Sequence, residues 1–246
     1  VSISAGSMSA GSQAASSPHF GTTTQAEAQA ETTPAVNPAV LPTSGAPTLI
    51  LLRHGRTVLN NQDRLQGTTD VDLDFHGQSQ SRKVGKFIRA FYNVDQVISS
   101  PLKRTRQTIH YAGFDELPLL EDRRFAEIDY GEWEGDAIAL RASDMIDRWN
   151  MDVNFAPPGG ESIASLFERV SAACEELMHA DQKSNVLVCS HATPIKAAVV
   201  WALGGDAKMI MHIHSRPASI TVIAQTPFGR VLVGYNERPQ SENAFH

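Results

Sequence analysis

The 246-residue chain, 41% apolar and 7% aromatic, holds enough material for one large α/β core and carries no fibrous or collagen-like bias. Its 21 Lys and Arg against 27 Asp and Glu leave a formal charge of -6. That excludes a global positive field for nucleic acid or an anionic membrane, so any anion site has to be built locally.

Residues 1–46 are dominated by Ser, Ala, Thr, Gly and Pro, hold no Lys or Arg, and show neither a helical nor a strand period. Such a segment buries too little apolar surface to offset its ordering entropy, and it lacks the basic start and apolar stretch of a secretory signal. It reads as a disordered tail or linker ahead of a domain at 47–240, with a short C-terminal tail at 241–246. A strand is expected at 48–53, where an apolar run of the kind buried on both faces ends in polar residues. Helices follow at about 76–92 and 101–112, with a strand at 96–99 between them. Further on, helices are expected at about 137–149 and at 161–181, where Ile163, Leu166, Phe167, Val170, Cys174, Leu177 and Met178 trace one apolar stripe. A third buried strand at 185–190 leads into a helix at 193–203. Strands at 220–224 and 230–235 flank the turn signal Pro227-Phe228-Gly229 and read as a closing hairpin. Strands alternating with helices imply an α/β fold with three layers, a mostly parallel sheet flanked by helices on both faces. No apolar run approaches the roughly 20 residues that cross a bilayer. Cys174 and Cys189 read as reduced core residues, and a cytoplasmic setting is expected.

Ligands of an open parallel sheet bind at the carboxyl ends of its strands, so the residues directly after each strand deserve the closest reading. Three such ends are unusually polar: Arg53-His54-Gly55-Arg56-Thr57, Ser99-Ser100-Pro101-Leu102-Lys103-Arg104, and Ser190-His191-Ala192-Thr193-Pro194. Ser100 and Thr193 each precede a proline, the pairing expected where a hydroxyl caps a helix, and a helix N-terminus is a ready anion site. Arg104 falls in a first helical turn, where its planar fork suits phosphate oxygens. With Arg53, and with Gly55 permitting close backbone approach, the three ends make a pocket for a phosphate dianion. A neutral imidazole can attack phosphorus, and surrounding cations favour that neutral form. His54, which follows the first strand beside a glycine, is the expected nucleophile, and His191 a charged or hydrogen-bonding stabiliser of the phosphoryl oxygens. The leaving oxygen needs a proton, and the loop 121–135, with Asp122, Glu127, Asp129, Glu132 and Glu134, can supply it.

These residues resemble the histidine phosphatase superfamily, the phosphoglycerate mutase-like family. The resemblance rests on Leu52-Arg53-His54-Gly55 with Thr57 and Asn60, Ser99-Ser100-Pro101-Leu102 with Arg104, Glu127 ahead of Gly131-Glu132-Trp133-Glu134-Gly135, Pro158-Gly159-Gly160-Glu161-Ser162, and Ser190-His191. It covers about 49 to 235. It implies that His54 accepts the phosphoryl group, that Arg53, Arg104 and His191 surround it, and that Glu127 is the general acid and later base. Asn60, Thr57, Gly55 and the backbone N–H of Ala192, where many members have glycine, would contact phosphate or substrate, and Arg56 would contact a second anionic group or lie solvated at the surface. The stretch after Gly135 lacks the lysine and arginine pair by which mutases of this family grip their substrate. A phosphomonoester hydrolase working on a small phosphorylated metabolite through a phosphohistidine is therefore expected, with a cofactor-dependent phosphoglycerate mutase or a non-catalytic phospho-ligand-binding module as alternatives. Neither cofactor nor metal is implied. The expected partner is a small phosphorylated substrate, with neither nucleic acid nor membrane, and a homodimer stays open. His212 and His214 alternate like two metal ligands but no third is evident. His76, His110 and His179 read as surface groups on helices, and Trp133 and Tyr130 as either cleft-lining or buried.

Overall fold

The computed structural model describes residues 46–179 and 184–239. The expected tails at 1–46 and 241–246 fall, apart from residue 46, outside the described residues. From the first strand onward the order is β1 (Thr48–Arg53), α1 (Val58–Asn61), α2 (Phe75–Phe91), β2 (Gln96–Ser99), α3 (Lys103–Ala112), β3 (Leu119–Glu121), α4 (Ile138–Met151), α5 (Ile163–Leu177), β4 (Asn185–Ser190), α6 (Ala192–Ala202), β5 (Ile220–Thr226) and β6 (Gly229–Glu237).

One six-stranded sheet runs β3-β2-β4-β1-β5-β6. The β3, β2, β4 and β1 pairings are parallel, whereas β5 pairs antiparallel with both β1 and β6. The sheet is therefore mixed, which corrects the mostly parallel expectation, while the closing hairpin lies at the sheet edge as expected and supplies the two antiparallel strands beside β1. Two apolar layers sandwich the sheet. Leu49, Leu51, Val186 and Val188 pack with α5 and α6 on one face, while Ile50, Leu52, Leu187 and Cys189 pack with α2 and α3 on the other. This alternation explains why β1 and β4 read as unbroken apolar runs: with helices on both faces, every apolar position along either strand is buried. The α5 stripe is buried as expected at Ile163, Leu166, Val170 and Cys174. Among the described residues no helix is long and apolar enough to cross a membrane.

Candidate active site

Strand register sets the site. Arg53 lies opposite Ser190, and Ser99 opposite Cys189. The ladder then runs one residue further, as the His54 N–H donates to the Ser190 carbonyl and the Ser100 N–H to the Cys189 carbonyl, each at 3.0 Å. His54, Ser100 and His191 are thereby neighbours at the carboxyl edge of the sheet, and the two imidazole centroids stand 5.1 Å apart.

His54 is 2% exposed. Its Nδ1 lies 2.8 Å from the Gly55 carbonyl, which can only accept, so Nδ1 carries the proton and Nε2 keeps its lone pair. Burial, and after it the charges of Arg104 and Arg53, push the His54 pKa well below the usual imidazole range. The group is a neutral imidazole of fixed tautomer. His191 is fully buried and likewise held well below its usual range, by burial first and then by Arg104, His54 and Arg53. Arg104 Nε donates to its Nδ1 at 3.1 Å, which leaves the proton on Nε2 to be donated to Ser100 Oγ at 2.7 Å. Of the two roles expected for His191, the charged one is thus disfavoured, and both ring nitrogens are engaged by protein atoms.

Arg104, also fully buried, donates to the carbonyls of Thr69 at 2.9 Å and Gly67 at 2.7 Å. The Gln66 amide oxygen completes the cradle at 3.0 and 3.2 Å, while its nitrogen donates to Thr57 Oγ1 at 2.6 Å. Burial lowers the Arg104 pKa to about 10 against the pull of Glu127, Asp70 and Glu134, so the group is a cation at neutral pH. The loop carrying those carbonyls is in turn gathered by Glu134, whose carboxylate accepts from the backbone of Gly67, Thr68 and Thr69 and from the Thr69 hydroxyl. Arg53 donates to the Ser215 carbonyl, and its buried Nε has no partner among the described residues.

Glu127 is 6% exposed. Its Oε1 accepts from Ile128 N at 3.0 Å and from Thr193 N at 3.2 Å, which seats the carboxylate at the start of α6. Arg169 of α5 fixes the backbone there, donating to the carbonyls of Arg124, Ala126 and Glu127 while gripping Glu161 twice at 2.7 Å. The site therefore brings together a neutral imidazole with a free lone pair, two guanidinium groups and a buried carboxylate. Those are the parts needed to receive a phosphoryl dianion and move a proton.

The remaining expected contacts divide. Ala192 opens α6 with an N–H that finds no acceptor among the described residues, as is usual in a first helical turn. Thr57 and Asn60 form a reciprocal capping box on α1, so both hold the turn after His54. Arg56 is ion-paired to Asp74 at 2.7 Å and bonded to Asn61 at 2.7 Å. The requirement for glycine at Gly55 comes from packing, since a Cβ there would meet the Gly77 carbonyl at 2.5 Å. Neither expected hydroxyl cap forms in the manner anticipated. The caps of α3 and α6 are Leu102 and His191, because the Ser100 hydroxyl is held by His191 and the chain begins α6 one residue before Thr193. Trp133 is a core residue, packed with Trp149 and Phe155, and Tyr130 packs partly buried against the same cluster. His76, His110 and His179 are exposed, and no trio of metal-ligating side chains occurs among the described residues. Sequence reading passed over Gln66, Arg169 and Lys196, which sit in a loop and on helices with no local pattern to mark them, and took Glu134 only as one more loop acid.

A family model for the histidine phosphatase superfamily, branch 1, matches residues 49–238. The chain is 31% identical over 195 residues to phosphoserine phosphatase 1 of Hydrogenobacter thermophilus, covering 76% of this chain and 91% of that one. It is 33% identical over 183 residues to the bifunctional protein Rv2228c of Mycobacterium tuberculosis, but that match covers 72% of this chain and 50% of that one, so the chain spans about half the length of this relative. Phosphoglycerate mutases are among the matches too. In structure it is similar to phosphoserine phosphatase of Entamoeba histolytica in complex with phosphoserine, with a TM-score of 0.70 and 26% identity over 77% of this chain and 96% of that one.

Proposed function

The chain belongs to the histidine phosphatase superfamily, and from that premise we propose that it is a phosphomonoester hydrolase acting on a small phosphorylated metabolite, its catalytic unit spanning 47–240. The observation that carries the reading is the His54 tautomer: an Nδ1 proton committed to the Gly55 carbonyl leaves Nε2 as the nucleophile, in a pocket whose burial, and after it whose cations, favour the unprotonated form.

In the first step the Nε2 lone pair of His54 forms a bond to phosphorus as the ester P–O bond breaks. Glu127 gives its proton to the departing alkoxide. Arg53, Arg104 and the Ala192 N–H receive the equatorial oxygens, with Arg104 held rigid by Gly67, Thr69, Gln66 and His191. In the second step water attacks the phosphohistidine while the Glu127 carboxylate takes its proton, the P–N bond breaks, and inorganic phosphate leaves. The buried free thiols of Cys174 and Cys189 fit a reducing compartment such as the cytoplasm.

Hydrolysis is preferred to phosphoryl retention because the one arginine early in α4 is occupied. Arg141 pairs with Asp136 at 2.7 Å and lies over the Trp133 ring, so it does not offer the second-phosphate grip of a mutase. The test is His54→Ala on p-nitrophenyl phosphate and phosphoserine. Turnover is expected to fall by about 10³-fold or more while the folded spectrum persists, and acid quench of the native enzyme is expected to trap an acid-labile phosphoenzyme that the variant does not form. Native-like turnover in the variant would sink the mechanism.

A further inference from the structure

We propose that Lys196, His214, Arg216 and Arg238, with Arg53 as their shared wall, form a subsite for a second anionic group of the substrate, so that the preferred substrates are phosphomonoesters bearing a carboxylate or a second phosphate near the scissile ester. The proposal rests on the phosphatase reading and supplies its substrate class.

Three elements bring these side chains together. The loop ahead of β5 is sewn to the end of β1: Ala218 N donates to the carbonyls of Arg53 and His54 at 3.1 and 3.0 Å, Arg53 N donates to Ser219 at 3.0 Å, and the Arg53 guanidinium bonds the Ser215 carbonyl. His214 and Arg216, on either side of Ser215, are exposed on this loop. The end of β6 steadies it, with the Arg216 N–H donating to Asn236 Oδ1 at 2.8 Å and the Tyr235 hydroxyl to the His214 carbonyl, and Arg238 follows directly. From the other side comes α6, whose Thr193 N–H holds Glu127. Lys196 lies about 4.5 Å further along that helix, close to one turn on and so on a similar face.

The cations of this cluster differ from others near the site. Arg56, Arg124, Arg141 and Arg169 each ion-pair with a carboxylate, whereas among the described residues Lys196, Arg216 and Arg238 pair with none and their side chains donate no hydrogen bond. They feel one another instead. Arg238 presses on Arg53 and Arg216 on Arg238. Exposed as it is, His214 is held below its usual pKa by partial burial and by Arg53, Arg216 and Lys196. Burial lowers the Lys196 ammonium to about 8 against the pull of Glu127, with Arg53 adding to the fall. The one carboxylate whose field reaches both Arg53 and Lys196 is Glu127, which the reaction needs for the proton. Gathering like charges around a partly buried lysine is unfavourable in the empty protein. A bound anion adds an attraction to each of these cations that offsets their mutual repulsion, and its distance from His54 is set by the same loop that is bonded to the His54 carbonyl.

The experiment measures kcat/KM and calorimetric binding for three esters of one chain length: propyl phosphate, 2-carboxyethyl phosphate and propane-1,3-diyl bisphosphate. The native enzyme is expected to favour one of the two doubly anionic esters over propyl phosphate by about tenfold or more, and which one it favours identifies the second group. In Arg216→Gln, Lys196→Gln and Arg238→Gln that ratio is expected to fall toward one. A native ratio near one overturns the proposal, as does an equal loss on all three esters in the variants, since a cation that only tunes Glu127 would act on all of them alike. If no ester and no p-nitrophenyl phosphate is hydrolysed, the phosphatase reading fails, and the binding ratio then decides the subsite by itself.

Discussion

Arg169, bonded to the Glu127 backbone, and Arg53, within the field of the Glu127 carboxylate, have opposite surroundings. Arg169 has an acid partner in bidentate contact and three carbonyls to receive its remaining protons. Arg53 has one carbonyl, a buried Nε with no partner among the described residues, and Glu127 as a charge neighbour rather than a bonded partner, with Arg238 opposing it. The first region is complete in the empty protein and serves to hold Glu127 in place. The second is left incomplete, and under the proposed function such a pocket would be stabilised by a phosphoryl anion rather than by the fold. Stability and activity should therefore separate between these two arginines.

The largest effect is expected at Arg53. In Arg53→Met, kcat/KM for a phosphomonoester should fall by about 10³-fold, the scale of losing a preorganised donor to the transition-state charge. The urea midpoint should change little, because the buried guanidinium removed has a single hydrogen-bonded carbonyl among the described residues. Arg169→Met should do the reverse. It strands Glu161 and three carbonyls, for a loss of about 3 kcal/mol of stability, while kcat/KM falls only about tenfold through misplacement of Glu127. If the Arg53 variant proves the less stable of the two, the contrast between a completed scaffold and an incomplete pocket is wrong.

How much of this was open to sequence reading depended on whether a residue's role is local. The strands β1, β2 and β4 were legible because burial on both faces writes an unbroken apolar run, and the residues following them, His54, Arg104 and His191, were legible through strand-end position. The edge strand Leu119–Glu121 was not, since three residues directly after Pro118 are too short a run to show a period, and the exposed Leu119 and Leu120 mark no buried face. Ser100 and Thr193 carried a correct local signal for a helix start nearby, yet tertiary partners decided how each was used: the Ser100 hydroxyl goes to His191 and the Thr193 N–H to Glu127. Arg169 and Lys196 are the clearest omissions. On a helix such residues look like solvated charges, and only the packing of α5 and α6 against the site shows one to be fully paired and the other partly buried without a partner.

A smaller effect distinguishes the two regions by pH. His54 and His191 are buried neutral with pKa values pushed well down by burial and by the pocket's cations. Below about 6.5 the unfolded chain takes up two protons that the folded site refuses, so folding stability should fall as pH drops through that value, by about 1.4 kcal/mol per pH unit for each imidazole. The paired scaffold responds lower: Asp122, held below its usual range through Arg124 despite its burial, keeps its contribution until pH falls past the carboxylate range. Urea titrations between pH 7 and 5 should show the slope in the native chain, and roughly half of it in His191→Gln. An unchanged slope would mean that the imidazoles are not the groups being protonated.

The smallest effect belongs to Arg56, which lies two residues from His54 and yet sits with the completed region. Its Nε meets Asp74 at 2.7 Å and its Nη1 meets Asn61 at 2.7 Å, on a side chain about one third exposed. Exposed pairs of that kind contribute about 0–1 kcal/mol, so Arg56→Gln should shift the urea midpoint slightly. It should leave kcat/KM within about twofold for propyl phosphate and for its doubly anionic counterparts alike, because the guanidinium is already held by protein acceptors. A selective loss on the doubly anionic esters would instead show that the Asp74 pair opens for substrate, and would move the second-anion contact from the β5 side of the site to the α1 side.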